Sequence, residues 1–275
     1  MSNTTNSEHD NKSSIDAQTQ RRAVRERYGT IATDESSCCN DSLICCDDTD
    51  LGDRTKQLGY TPDEIDSISE GANLGLGCGN PNALASLKVG ETVLDLGSGG
   101  GFDCFLAAAE VDEEGQVIGV DMTPEMIERA RANVEKNDVS NAEFRLGEIE
   151  HLPVADDSVD VIISNCVINL SPDKPQVFRE AYRVLRPGGR LAISDVVMTA
   201  QFPAETRNDI ESLTGCIAGA ATIESLQTML ADTGFEDVHI TPKEESDEFI
   251  REWDDSRDLS EYIVSAAIEG RKPSQ

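Results

Sequence analysis

The chain has 275 residues, with 53 acidic side chains against 23 basic ones and a formal net charge of −30. That balance argues against a nucleic-acid partner and against an anionic membrane surface, because both are held by Lys and Arg. The excess acid is spread along the chain, as expected of a cytosolic protein kept soluble in the salt of a halophile.

Residues 1–20 are polar and lack the apolar stretch of a secretory leader, and no apolar run approaches the ~20 residues of a membrane span. A cytoplasmic protein is therefore expected, with its thiols reduced. Its eight cysteines then read as ligands or redox groups rather than a disulfide framework. Residues 1–20 are predicted to be disordered, and residues 21–33 to form a short helix with Val24 and Tyr28 on one side. The following stretch, SSCCNDSLICCDDTD, carries Cys38, Cys39, Cys45 and Cys46. Its cysteine count admits a zinc site, although the C-x₂-C spacing is absent. The other reading is a loop whose thiols lie beside something reactive. Residues 1–50 are thus expected to be a disordered, cysteine-bearing segment, and residues 51–275 a single domain. Thr61 caps a helix that Pro62 opens. The glycine-rich stretch GANLGLGCGNP then carries Cys78, in a loop that either connects elements or closes over a ligand.

Thr92–Leu96 reads as a buried strand, too short and too branched for a helix. It runs into Gly97-Ser98-Gly99-Gly100-Gly101 and a helix, FDCFLAAAEV. Strand, glycine loop and helix form the first unit of a nucleotide-binding α/β fold. Phe102 stands where a dinucleotide motif has its last glycine, which favours S-adenosylmethionine, a ligand without a pyrophosphate. VIGVD is strand two. Its terminal Asp121 sits where an acid hydrogen-bonds the ribose hydroxyls of an adenosine. Thr123 is the expected cap of the next helix, with Met126, Ile127, Ala130 and Val134 on its core face. Strand three lies around Phe144–Leu146, and Glu148 and Ile149 follow it where an adenine ring would lie. VDVIISN is a central parallel strand. It ends at Ser164-Asn165-Cys166, so Cys166 is in position to meet a substrate at the carboxyl edge of the sheet. Cys104, on the apolar first helix, reads as a small buried hydrophobe. A helix over SPDKPQVFREAYRVL stops at Pro187-Gly188-Gly189, and strand five is Leu191–Asp195. Two helices over 201–235 flank GCIAGA with its Cys216. VHITPK and YIVSAAIEG close the sheet with antiparallel pairing.

VLDLGSGGG, VIGVD, LPVADDSVDVIISN and RVLRPGGRL together resemble the class I S-adenosylmethionine-dependent methyltransferases over about residues 71–200. NLGLGCGNP, GFDCFLAA, ISNCVINLSPDKP and GCIAGA narrow the resemblance to arsenite methyltransferases. The resemblance implies an α/β, Rossmann-like fold. Its mostly parallel seven-stranded sheet would have helices on both faces and an antiparallel last strand. The cofactor core would span 71–200. Residues 201–275 would hold a helical insert with Cys216 and the terminal strands, without the long C-terminal extension of eukaryotic members. S-adenosylmethionine is the implied methyl donor. Its site is expected from Asp95, Gly97, Ser98, Gly99, Gly101, Asp121, Met122, Glu148, Ile149 and Asn165. The family's arsenic-binding cysteines fall on Cys78, Cys166 and Cys216, and a further redox thiol falls in the Cys38/Cys39 region.

This chemistry is self-consistent. Trivalent arsenic is thiophilic, and soft thiolates select soft centres. Three cysteines would leave its lone pair free to attack a methyl group, so no general base is required. Thiols oxidised in the cycle would be restored by exchange with a thiol reductant such as thioredoxin or a small dithiol. Two other functions compete. One is a methyltransferase acting on carbon or oxygen of a small molecule such as a quinone precursor, which has no need of three convergent cysteines. The other is a non-enzymatic thiol sensor of metalloids, which usually presents a basic nucleic-acid surface that this chain lacks.

Overall fold

The structure is a computed structural model that describes residues 16–33, 48–69, 71–202, 217, 219–253 and 258–274. A parallel half of the sheet forms first in the chain. β1 (Thr92–Leu96), β2 (Gln116–Asp121), β3 (Ala142–Leu146) and β4 (Val159–Asn165) alternate with α5 (Phe102–Val111) and α6 (Pro124–Asn137). β4 leads through α7 (Lys174–Val184) into β5 (Leu185–Met198). A two-residue strand, β6 (Ala221–Thr222), pairs with the end of β5 and precedes α8 (Ile223–Thr233). β7 (Glu236–Pro242) and β8 (Ile263–Arg271) complete the sheet.

The strand order is β3-β2-β1-β4-β5-β8-β7. Among the described strands only β8 runs against its neighbours, antiparallel to both β5 and β7. The expected seven-strand path with one reversed strand is present, and β6 is an addition to it. The chain leaves β1 toward β2 and β3 and then returns to build β4 and β5 on the other side. That reversal opens a crevice at the carboxyl ends of β1 and β4, the usual ligand position in such sheets. Their register pairs Leu96 with Ser164, which brings the glycine loop and Asn165–Cys166 side by side.

Three apolar clusters hold these elements. Phe178, Val177, Leu226 and Leu230 of α7 and α8 cover one face of the sheet. Phe105, Ala107, Ile127 and Ala130 of α5 and α6 cover the other. A third cluster caps the carboxyl edge, where Val24, Tyr60, Leu106 and Ile250 surround Cys78 and Cys166. No helix among the described residues is long and apolar enough to cross a membrane.

Several local expectations change. The first helix, α1 (Ala17–Thr33), begins upstream of residue 21. Asp16 caps it, accepting the Gln18 and Thr19 N–H groups at 3.0 Å each, so the disorder expected through residue 20 does not extend to Ala17–Gln20. Residues 1–15 lie outside the described residues. α1 packs against α6, and Arg129 donates to the Ala32 carbonyl at 3.0 Å. α7 ends at Val184, before the proline. Pro187 disfavours helical geometry at Arg186, and Leu185 already pairs with Val159 as the start of β5. α2 (Asp48–Gln57), α3 (Pro62–Ser67) and α4 (Pro81–Ala85) lead into β1. Thr61 caps α3 as expected, in a reciprocal box with Glu64. The expected pair of helices over 201–235 falls partly outside the described residues, and α8 is the one observed.

Candidate active site

A cavity of about 1130 Å³, counting its mouth, lies over the carboxyl ends of β1 and β4. Its floor is the glycine loop. The Gly97 and Ser98 N–H groups both donate to the Val120 carbonyl, at 2.7 and 3.1 Å, which ties the loop to the end of β2. Gly97 has φ 72°, a left-handed conformation that favours glycine. A Cβ at this position would also run into the Val167 side chain. Asp121 accepts the Gly99 N–H at 3.1 Å and the Thr123 N–H at 2.8 Å. One carboxylate thus clamps the loop and starts α6. Thr123 stands at the N-cap of α6 as expected, with Pro124 opening the helix, although its side chain makes no capping bond. Gly101 lies beneath the cavity as the N-cap of α5, where a Cβ would meet Phe105 and Phe144.

Four acids line this cavity: Asp95 and Glu150, which are buried, and Asp103 and Asp121, which are half-buried. Burial pushes the Asp95 carboxyl well above its ordinary value, and the neighbouring Asp103 charge adds to the shift. Burial also raises Asp103, against hydrogen bonds from Tyr60, Asn165 and Asn82. Asp121 is raised by burial against its two backbone donors. The Cys104 thiol donates to Asp95 at 3.2 Å. Its own acidity is suppressed by burial and by that carboxylate, so it remains a donor and does not become a nucleophile. The Ser98 hydroxyl is buried without a hydrogen-bond partner. These acids, an orphan hydroxyl and a glycine cradle fit a cationic ligand with polar edges, which S-adenosylmethionine is.

At the other end one thiol, Cys166, reaches the cavity wall, and a second, Cys78, lies buried beside it. Cys166 follows β4 directly with φ 60°, a strained conformation for a side chain with a Cβ. Its N–H donates to the Ser194 carbonyl at 2.8 Å, which holds the turn in place. Cys78 is fixed from three sides. Its N–H donates to Asn165 Oδ1 at 3.0 Å, and its carbonyl accepts the Ser265 hydroxyl at 2.6 Å. Its sulfur lies 4.0 Å from Ser194 Oγ. Gly77, one residue before it, has no room for a Cβ, which would come within 2.7 Å of the Asn165 amide. The result is that the sulfurs of Cys78 and Cys166 and a carboxylate oxygen of Asp195 lie within 4.8 Å of one another, all buried. Burial pushes Asp195 up to about 6.

Asn165 joins the two ends. Its amide nitrogen bonds the Gly79 carbonyl at 2.7 Å, Tyr60 Oη at 3.0 Å and Asp103 Oδ2 at 3.3 Å. Tyr60 in turn donates to Asp103 at 2.7 Å, and Asn82 does so at 2.9 Å.

Of the residues expected at the cofactor, Asp95, Gly97, Ser98, Gly99, Asp121, Met122, Ile149 and Asn165 line the cavity, and Cys166 joins them. Gly101 and Glu148 do not. Glu148 lies in ion pairs with Arg21 and Arg25 of α1. The cavity wall has Glu150 instead, which accepts Arg21 at 3.0 Å and the Ser171 hydroxyl at 2.8 Å. Asp103, Tyr60, Glu150 and Asp195 were not anticipated. The acid at the second position of a helix read as apolar was the available signal for Asp103. Asp195, as the last residue of a predicted strand at the carboxyl edge, offered the same kind of signal. Cys216, Cys38 and Cys39 lie outside the described residues.

Comparison with known proteins agrees with this geometry. A methyltransferase-domain family model matches residues 87–234. The chain is 60% identical over 267 residues to an arsenite methyltransferase of Halobacterium salinarum, covering 94% of this chain and 68% of that one. It is 38% identical to an arsenite methyltransferase of Aquipseudomonas alcaligenes, over 78% of this chain and 62% of that one. The crystal structure of an arsenic(III) S-adenosylmethionine methyltransferase from Chlamydomonas reinhardtii superimposes with a TM-score of 0.60. It shares 36% identity and covers 80% of this chain and 73% of that one. The chain thus spans about two thirds of the length of these two bacterial and archaeal relatives. With its glycine loop, its acid-lined cavity and its paired thiols, the chain belongs to the S-adenosylmethionine-dependent methyltransferases and, within them, to the arsenite methyltransferase family.

Proposed function

We propose that this protein transfers methyl groups from S-adenosylmethionine to trivalent arsenic held by its own cysteines. The observation that carries this reading is the proximity of the Cys78 and Cys166 sulfurs beside the cofactor cavity. Two soft donors at that separation suit a thiophilic centre, and a methyltransferase acting on carbon or oxygen has no use for them. Cys216 is the proposed third donor. Support comes from Ile217, the next residue, which packs in the same buried cluster as Cys78 and Cys166. The cofactor residues proposed are Asp95, the Gly97–Gly101 loop, Asp121, Met122, Ile149 and Asn165, with Glu150 in the part first given to Glu148.

Bound S-adenosylmethionine supplies an electrophilic methyl on a sulfonium. The protein's share is alignment and exclusion of water. Cys78 and Cys166 bond arsenic and direct its lone pair toward the cavity, so most of the rate comes from fixing the reacting atoms in line. The acids of the cavity stabilise the cationic donor, and no side chain has to remove a proton. After transfer, two thiolates leave the now pentavalent arsenic as a disulfide, and their electrons return it to the trivalent state. A thiol reductant, thioredoxin or a small dithiol, then restores the cysteines, with Cys38 or Cys39 as the exchanging thiol. Work in the cytoplasm and a role in arsenic detoxification belong to the same proposal. The proposed division is a cysteine-bearing segment over 1–50, whose helix α1 packs on α6, and a catalytic domain over 51–275.

The test incubates the full chain with S-adenosylmethionine, arsenite and dithiothreitol, and separates arsenic species by mass. Methylated arsenic with matching S-adenosylhomocysteine is expected. Cofactor binding without methylated arsenic would overturn the reading.

A further inference from the structure

The mechanism above gives no part to Asp195, although one of its carboxylate oxygens lies within 4.8 Å of both sulfurs. The side chain is 1% exposed. Its Oδ1 accepts the Asn169 side-chain amide and the Val196 N–H, each at 2.8 Å. Its Oδ2 receives a longer bond, 3.3 Å, from the Asn169 backbone N–H. Asn169 is itself buried and anchored by a second bond to the Val196 carbonyl at 2.7 Å. The carboxylate is therefore held in one orientation. A carboxylate offers about four acceptor sites, and the shorter bonds gather on one of its oxygens. Both oxygens are partnered, but Oδ2 takes only longer bonds and can accept a further donor at the thiol site.

Arsenite supplies such a donor. Capture by two cysteines converts As(OH)₃ and two thiols into a dithiolated As–OH and two waters. Two As–S bonds form and two As–O bonds break. The thiol protons leave with the departing hydroxides, and arsenic stays trivalent. One hydroxyl remains on arsenic at this two-sulfur stage, before the proposed third donor, Cys216, displaces it. Resting on the arsenite reading above, we propose that Asp195 is a specificity-determining residue of the arsenic site, accepting a hydrogen bond from this remaining hydroxyl. The bond orients arsenic while two sulfurs hold it. It selects the inorganic substrate, because methylarsonous acid bound through the same two cysteines keeps a methyl group there and has nothing to donate.

Replacing Asp195 by Asn keeps the shape and the Oδ1 partners but turns the second oxygen into an NH₂ donor. The experiment compares kcat/KM for arsenite with kcat/KM for methylarsonous acid, in wild type and in Asp195→Asn, with melting temperature and S-adenosylhomocysteine binding measured alongside. Loss of a charged hydrogen bond is worth about tenfold or more, so the arsenite value is expected to fall by at least about that factor. The methylarsonous acid value is expected to stay within about twofold. Equal losses on both substrates would reduce Asp195 to a structural residue and overturn the proposal, as would no loss on either. If the variant loses its fold, Asn169→Ala decides by the same ratio. That change frees the carboxylate from its side-chain amide partner and should give a smaller loss confined to arsenite. A wild-type chain that binds cofactor but methylates neither arsenical would sink the arsenite reading itself.

Discussion

Gly97, Ser98, Gly99 and Asp121 come from one strand–loop–helix–strand unit, whereas Cys78, Cys166 and Asp195 come from three separate segments. The first group is locked by short-range backbone bonds to Val120 and Asp121. The second depends on contacts between distant segments. Ser265 of β8 holds the Cys78 carbonyl, and Asn165 of β4 holds its N–H. The cofactor end is therefore nearly complete once β1 and β2 pair. The thiol end exists only when the antiparallel edge of the sheet is in place. A methyltransferase can keep the first while changing the second, and so change its acceptor.

This contrast can be tested by separating the two ends. Cys166→Ser should give the largest effect, removing a soft donor for a hard one. Arsenite methylation should fall by ~100-fold or more, while calorimetric binding of S-adenosylhomocysteine stays within about twofold. Asp121→Ala should do the opposite. It removes the clamp of the glycine loop, so the cofactor Kd should rise by ~10- to 100-fold. Capture of arsenite, followed by retention of arsenic on the protein, should persist. If Asp121→Ala impaired both equally, the two ends would be one unit.

Asn165→Ala breaks the separation by design, because this side chain touches Asp103, Tyr60, Gly79 and Cys78. Both affinities should weaken by ~10-fold, with ~2–3 kcal/mol lost in denaturant unfolding. Weakening of only one would show that the link is structural at the other end.

Proton uptake offers a milder test. Burial raises the folded-state values of Asp95 and Asp121 above the ordinary carboxylate value of 3.8. Each therefore contributes stability to the empty protein below that ordinary value, and this contribution is lost as pH rises through the raised one. A bound cation favours the ionised acids. Cofactor binding should then release protons and tighten as pH rises from the carboxylate range toward neutrality. Calorimetry in two buffers of different ionisation enthalpy reads the protons directly, and Asp121→Asn should release fewer. The smallest effect is expected for Glu148→Gln. Its pairs with Arg21 and Arg25 are part-exposed, so stability should change by ~1 kcal/mol or less and cofactor affinity by less than about twofold. A large loss of cofactor affinity would return Glu148 to the site in place of Glu150.

How much of this was legible beforehand follows the same division. The glycine loop, Asp121, the central strands and the reversed strand near the end could be read from periodicity and spacing, because each signal lies within a few residues. Glu148 and Glu150 share one loop. Sequence position could not say which faces the cavity, since Arg21 and Arg25 arrive from a helix more than a hundred residues away. Cys104 was rightly read as buried, but its bond to Asp95 needed α5 laid over β1. Cys78 and Cys166 were named by resemblance, and nothing in their spacing implied that their sulfurs would meet.

By itself the sequence determined that a strand, a glycine cradle and an acid at the end of the next strand would form a cofactor site. Hydrophobic periodicity and backbone freedom at glycine act locally, and they leave few alternatives over such a short span. Only the tertiary structure decided that Asp195 joins the two cysteines and that Asn165 links both ends. Those outcomes depend on the registers of Leu96 with Ser164 and of Ser194 with Ala267. Such registers are set by packing across the whole sheet, where a shift of one residue would turn each side chain to the opposite face.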